Sequence, residues 1–141
     1  MIVLDTNVVS ETMRRAPSAA VIGWLNEQLR SELYLCAPVV AELSYGIARL
    51  EESRRKQTLL LFYRQTIDED FEGRVLPFDA SAAEVYGELV AKLKSEGKVI
   101  DVIDAMIAAI ALSNAATLAT RNLAHFAHTG LTLVDPFSDS H

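Results

Sequence analysis

The chain opens with Met1-Ile2-Val3-Leu4-Asp5-Thr6-Asn7-Val8-Val9-Ser10-Glu11, and this stretch decides the fold. Ile2 to Leu4 is a short, wholly apolar run, the pattern of a strand buried on both faces. It ends on an acid. Thr6 to Met13 then reads as a short helix that begins at once. A strand running directly into a helix is the first half of a βα unit.

The same alternation continues along the chain. Ser18 reads as an N-cap, and Val21, Trp24, Leu25 and Leu29 follow at helical spacing. Leu33 to Ala37 reads as a second strand, and Pro38 fits the first turn of the next helix. That helix carries Val39, Leu43, Ile47 and Leu50 on one stripe. A further helix is predicted from about Ser53 to Phe71, with Leu59, Phe62, Tyr63, Thr66 and Ile67 on one face. Together these two helices form a hairpin inserted between strands. Arg74 to Phe78 is a third strand. Asp79 and Ser81 open a helix that ends near Gly97, and Asp101 to Ala115 is the next. Thr117 to Thr120 is a fourth strand and Leu131 to Val134 a fifth. The expectation is an α/β domain over residues 1–141, with a mainly parallel sheet of four to five strands flanked by helices.

Composition narrows the class. The 141 residues are enough for one core, and half of them are hydrophobic. The start of the chain has neither the basic region nor the long apolar region of an export signal. The most apolar window, Val99 to Leu112, is short and is interrupted by Asp101 and Asp104, so no membrane span is expected. Cys36 is the only cysteine. An intramolecular disulfide and a zinc site built on several cysteines are therefore excluded, and a cytoplasmic setting fits. A net charge of -6 argues against a simple DNA-binding module. It does not argue against a nuclease, because carboxylates that hold a metal ion add to the negative count.

Acids are the candidate functional groups. Asp5 ends the first strand and, taken alone, reads as a helix N-cap. Glu42 in Ala37-Pro38-Val39-Val40-Ala41-Glu42-Leu43 reads, taken alone, as a solvated first-turn acid. Asp101 and Asp104 lie on one helical face. Asp104 is surrounded by Ile103, Met106, Ile107 and Ala108, with no Lys or Arg within a turn, so it needs a partner from elsewhere in the fold or a cation. In parallel sheets, ligands bind beyond the carboxyl ends of the strands. If these acids converge there, two carboxylates ~4 Å apart repel by roughly 4 kcal/mol at an effective dielectric of ~20. Oxygen-only donors would then recruit Mg²⁺ or Mn²⁺ rather than zinc.

Four segments together carry a family resemblance. Met1 to Glu11, Ala41-Glu42-Leu43 with Gly46-Ile47, Asp104-Ala105-Met106-Ile107-Ala108-Ala109, and Ala119-Thr120-Arg121-Asn122 with Phe126 resemble, in order and spacing, the motifs of PIN-domain toxins. Asp135-Pro136-Phe137 resembles their usual chain end. Val75-Leu76-Pro77-Phe78-Asp79 and Gly97-Lys98 are similar to the FitB-like branch of the VapC family. The resemblance implies a PIN-like fold and a magnesium-dependent endoribonuclease acting as the toxin of a type II toxin–antitoxin pair. It implies a Mg²⁺ site from Asp5, Glu42 and Asp104, with Thr6 ordering it. It also implies an RNA substrate, a homodimer, and a cognate antitoxin through which alone the complex would meet DNA. The sequence departs from the family pattern at the fourth acid, whose usual positions hold Asn122 and His125. Asn122 is expected to ligate through its carbonyl or hold a water, with Asp101 as a replacement charge.

Other readings follow from single residues. His125 and His128 read as surface histidines. Arg121 is either structural or a phosphate contact. The cluster Arg49, Arg54, Arg55 and Lys56 reads as a solvated helix surface, with an RNA-backbone or antitoxin contact as the functional alternative. The absent fourth acid supports a second function, a catalytically weak scaffold that binds a protein partner. A third, with Asp5 as a phosphoacceptor, ranks last because Asn7 stands where that chemistry wants an acid.

Overall fold

The structure, a computed structural model, describes residues 1–138. The expected domain over 1–141 thus extends past the described residues. Five strands form one sheet in the order β3-β2-β1-β4-β5: β1 (Ile2–Leu4), β2 (Leu33–Cys36), β3 (Val75–Leu76), β4 (Thr117–Ala119) and β5 (Leu133–Val134). Every pairing is parallel. Six α-helices flank it: α1 (Thr6–Thr12), α2 (Ala19–Glu27), α3 (Ala37–Ala48), α4 (Arg54–Gln65), α5 (Ala80–Ser95) and α6 (Val102–Ser113). The chain steps outward from β1 to β2 and β3, then returns to place β4 on the other side of β1. The order of the strands therefore reverses between β1 and β4, and a parallel sheet opens a crevice at such a point, outside its carboxyl ends.

Local signals explain most boundaries. Ser18 caps α2 by accepting from Val21 N, Ser53 caps α4 through Lys56 N, and Asp79 caps α5 through Ala82 N. Pro38 sits in the first turn of α3, where its missing N–H costs nothing. Gly97 ends α5 in the left-handed region, φ +71, and Lys98 N closes the turn on Leu93 O at 2.8 Å. α3 and α4 make the expected hairpin between β2 and β3.

Some expectations shift. The helix expected to reach Leu29 ends at Glu27, because Gln28 is extended, and Leu29 is 72% exposed. Leu50 lies beyond the end of α3, and Ala37 belongs to α3 rather than to β2. The helix expected over Ser53 to Phe71 is continuous but changes hand-hold: α4 passes into a π-helical turn at Thr66–Asp70. Tyr63 is buried, whereas Phe62 is 46% exposed and off the packed face. β3 is shorter than expected, and Phe78 instead meets Tyr86 edge to face, ring centres 6.0 Å apart.

The core explains the placement of the acids. Val3, Val8, Val21, Leu35, Val39 and Leu118 are fully buried around the sheet. In α6, Ala105 and the run Ile107 to Ala111 are all completely buried. Three of those five consecutive residues are alanine, small enough to let neighbouring backbone approach closely. Asp104 therefore begins a helix with almost no solvent face. Among the described residues no helix is long and apolar enough to cross a membrane.

Candidate active site

Asp5 follows β1 and caps α1, accepting from Thr6 N at 2.8 Å. Its side chain does more than cap. Leu4 pairs with Ala119 across β1 and β4, so the next residues, Asp5 and Thr120, emerge side by side. Thr120 is fully buried, and its Oγ1 donates to Asp5 Oδ2 at 2.7 Å. Asn7 Nδ2 reaches the same oxygen at 3.3 Å. With three donors, the carboxylate is held in one orientation despite being only 4% exposed.

Two further bonds extend this frame. Thr120 Oγ1 accepts from Asn122 N at 3.0 Å, and Asn7 Oδ1 accepts from Arg121 N at 3.1 Å. Arg121 itself stacks over the Phe137 ring at 4.4 Å. Glu42 stands exposed on α3, and Thr6 Oγ1 donates to its Oε1 at 2.6 Å. Asp101 caps α6 by accepting from Ile103 N.

Asp104 differs from the other acids. Its side chain is 20% exposed, and the His125 ring stands beside it, with Nδ1 3.3 Å from Oδ2. Burial pushes its carboxyl above the usual range. The charge on Asp5 adds to that shift, His125 opposes it, and Asp101 and Glu42 push in the same direction as Asp5. His125 is a surface histidine as expected, its side chain 57% exposed, and it is also the partner that the sequence around Asp104 lacked. Its position on the 3₁₀ turn Leu123–Phe126, anchored by buried Phe126, brings the ring across.

All six expected residues, Asp5, Thr6, Glu42, Asp101, Asp104 and Asn122, line a single open concavity of about 450 Å³. Asn7, Ser10 and His125 complete it. It lies where the strand order reverses. Among the described residues, no three of His, Cys, Asp and Glu stand gathered closely enough to hold an ion as they are. Their oxygens are turned instead toward Thr6, Thr120, Asn7 and His125. The donor set nevertheless suits a hard ion that keeps several waters and takes only one or two carboxylates directly. Nucleophilic thiol chemistry is excluded at this site: Cys36 is buried, and desolvation pushes its thiol up to about 12.

Sequence reasoning missed Thr120, Asn7 and His125 as parts of the site. For Thr120 the signal was present: once β1 and β4 are paired, the residue after one strand must adjoin the residue after the other.

Residues 2–130 match the PIN domain model. The plasmid stability protein StbB of Pseudomonas syringae pv. tomato is 42% identical, covering 97% of this chain and 99% of the relative. The VapC ribonuclease Y4jK of Sinorhizobium fredii is 39% identical over 97% of this chain and 98% of its own. The toxin FitB of Neisseria gonorrhoeae is 38% identical over 99% and 100%. Among solved structures, FitAcB from Neisseria gonorrhoeae superposes with a TM-score of 0.91 at 38% identity, covering 97% of this chain and 99% of that one. VapBC2 from Rickettsia felis, bound to a DNA fragment from their promoter, gives 0.77 at 27% identity, covering 95% and 98%. The chain belongs to the PIN-domain family, in the group that holds the VapC ribonucleases and the FitB toxin.

Proposed function

We propose that this protein is a metal-dependent endoribonuclease acting as the toxin of a toxin–antitoxin pair, with Asp5, Glu42 and Asp104 as its catalytic carboxylates. One observation carries the reading. Acids from three distant segments line one concavity at the reversal point of the sheet with no Lys or Arg among its lining residues, and burial, followed by the charge on Asp5, pushes the Asp104 carboxyl up against the opposing effect of His125. A fold stabilised only for its own sake would not collect uncompensated carboxylates there. The names of the relatives, ribonuclease and toxin, supply the reaction class.

Asp5, Asp104 and Glu42 would hold Mg²⁺, with Mn²⁺ as a substitute, and Asn122 can add a carbonyl donor. A divalent ion bound there supplies Lewis acidity, which makes water more acidic and offsets charge on a phosphodiester. The remaining work belongs to the protein. Thr120, Asn7 and the Thr6 N–H fix the Asp5 carboxylate before substrate arrives. The Thr6 hydroxyl fixes Glu42, and His125 steadies one oxygen of Asp104. Preset oxygens do not have to be ordered at the moment of reaction, which lowers the entropic part of the barrier.

A cytoplasmic protein of this kind would be neutralised by a cognate antitoxin and would form a homodimer. It would meet DNA only through that antitoxin, in line with the Rickettsia felis complex on promoter DNA. The test uses antitoxin-free protein and labelled RNA. Cleavage is expected with Mg²⁺ or Mn²⁺ and none in EDTA, and Asp104→Asn is expected to remove it while leaving the circular dichroism spectrum intact. Cleavage that persists in EDTA would sink the reading.

A second reading, a catalytically weak scaffold that chiefly binds its partner, is favoured by Asn122 and His125 standing where acids would complete the set. Antitoxin binding that is indifferent to Mg²⁺, together with no RNA cleavage under any metal, would select it.

A further inference from the structure

The acidic concavity does not end at Asp104. A second pocket of about 260 Å³ shares Asp101, Asp104 and His125 with it and continues past Lys98, Ile100 and His128. Its walls are set by two local features. The left-handed turn at Gly97 ends α5 and carries Lys98 to the rim. After β4, His125 and His128 lie three residues apart around buried Phe126.

The chemistry of this pocket is unlike that of the centre. A polyanion crossing an acidic site on a chain of net charge -6 needs cations on its path. Lys98 has one ion-pair partner among the described residues, Glu96 at 3.7 Å, and both groups are well exposed. Such a surface pair is weak and exchanges readily for a phosphate. The His128 ring is exposed and, among the described residues, has no hydrogen-bond or ion-pair partner. On the opposite side, a hollow past Thr6 and Glu42 contains Arg14 and Arg55, yet those guanidiniums are engaged by Glu11 and by Met13 O. The cation held only by a weak surface pair, Lys98, and the unpartnered ring, His128, both lie on the α6 side. Val99, 98% exposed at the same rim, adds an apolar surface on the Lys98 side, opposite the wall that Asp101 and Asp104 share with the acidic centre.

We infer that this pocket binds the nucleotide adjoining the scissile phosphate of a single-stranded RNA, with Lys98 meeting its phosphate and the His128 ring its base. The inference rests on the ribonuclease reading for the word scissile. The binding itself stands on the pocket. A base reaching it must be unpaired, because a side pocket opening from a trough admits a splayed base and not a base pair. Imidazole is among the rings on which such bases stack.

The test compares the wild type with Lys98→Ala, His128→Ala and His128→Phe, using a fluorescent single-stranded RNA. Affinity is read by anisotropy in EDTA across a salt series, and cleavage by steady-state kinetics with Mg²⁺. Lys98→Ala should weaken binding about fivefold and shrink the slope of log affinity against log salt by about 0.7. His128→Ala should weaken it about tenfold, and His128→Phe should restore most of that loss. KM should rise while kcat holds. Unchanged affinity in both alanine variants overturns the proposal. So does a change in oligomeric state with RNA affinity intact, which would assign the pocket to contact between copies of the chain. If the wild type cleaves no RNA yet the EDTA series shows the stated losses, the pocket stands and the ribonuclease reading falls.

Discussion

Glu11 and Asp104 are both acids held against the core, and they make an instructive pair. Glu11 lies in the last turns of α1, where the helix dipole opposes negative charge, while Asp104 lies in the first turn of α6, where it favours it. On that ground alone Glu11 would be the stressed group. The structure reverses the order. Ser18 N donates to Glu11 Oε2 at 2.8 Å, and Arg14 approaches at 3.3 Å. The Ser18 bond, which outweighs the cost of burial and is helped by Arg14, holds the Glu11 carboxyl below its usual range. Asp104 has only an exposed imidazole and is pushed the other way. Helix position is worth a few tenths of a kcal/mol up to about 1, so the neighbours supplied by the tertiary fold decide which acid is at rest and which is poised.

The largest expected effect tests the poised member. Asp104→Asn should lower RNA cleavage by about 100-fold or more and, in metal-free protein, raise Tm by a few degrees, because it removes a charge that burial and Asp5 disfavour. Opposite signs for activity and stability are what the contrast requires. A variant that is both less active and less stable would break it.

Thr6→Val comes next. It deletes the hydroxyl that orients Glu42 and should cost about tenfold in cleavage or metal affinity, with Thr6→Ser restoring it. Isothermal titration with Mn²⁺ separates the two effects, and full activity in the valine variant would remove Thr6 from the site.

The resting member is tested by Glu11→Gln. It should destabilise the fold by about 1–3 kcal/mol in urea, with cleavage per folded molecule unchanged. Lost cleavage in a fully folded Gln variant would mean that the two acids are not separate in role.

The smallest effect is in the pH profile. Glu11, with its folded pKa lowered, contributes stability that is present above the ordinary glutamate pKa and is lost as pH falls through the lowered value. Asp104, with its folded pKa raised, imposes a cost at neutral pH that is relieved as pH falls through the raised value toward the ordinary aspartate range. Thermal melts of metal-free protein should therefore show a steeper acid loss in Asp104→Asn than in the wild type and a shallower one in Glu11→Gln. Parallel profiles for all three proteins would contradict both assignments.

Much of the fold was readable before any coordinates. Apolar runs marked the strands, and caps at Ser18 and Asp79 marked where helices begin. Readings failed where a local pattern met a long-range constraint. Leu29 and Leu50 continue a helical stripe in sequence, yet the chain has already turned to enter the next element. Phe62 falls off its stripe because Leu59, Tyr63 and Ile67, spaced four apart, take the packed side and leave it at the edge. Among the site residues, Asp5, Glu42 and Asp104 were reached through family motifs. Thr120 and Asn7 lie inside those motifs and His125 at the position of the fourth acid, but their contacts with Asp5 and Asp104 exist only once β1 lies beside β4 and the turn after β4 packs against α6.

Sequence alone determined the alternation of strand and helix, because side-chain periodicity and capping act over a few residues. It also determined that Asp104 would need a partner, because no basic residue lies within a turn. Only the tertiary structure decided who that partner is and which acids share a space. The energy of a charge depends on how much water is removed and what stands within a few ångströms, and for Asp5, Glu42 and Asp104 that company comes from parts of the chain tens of residues apart.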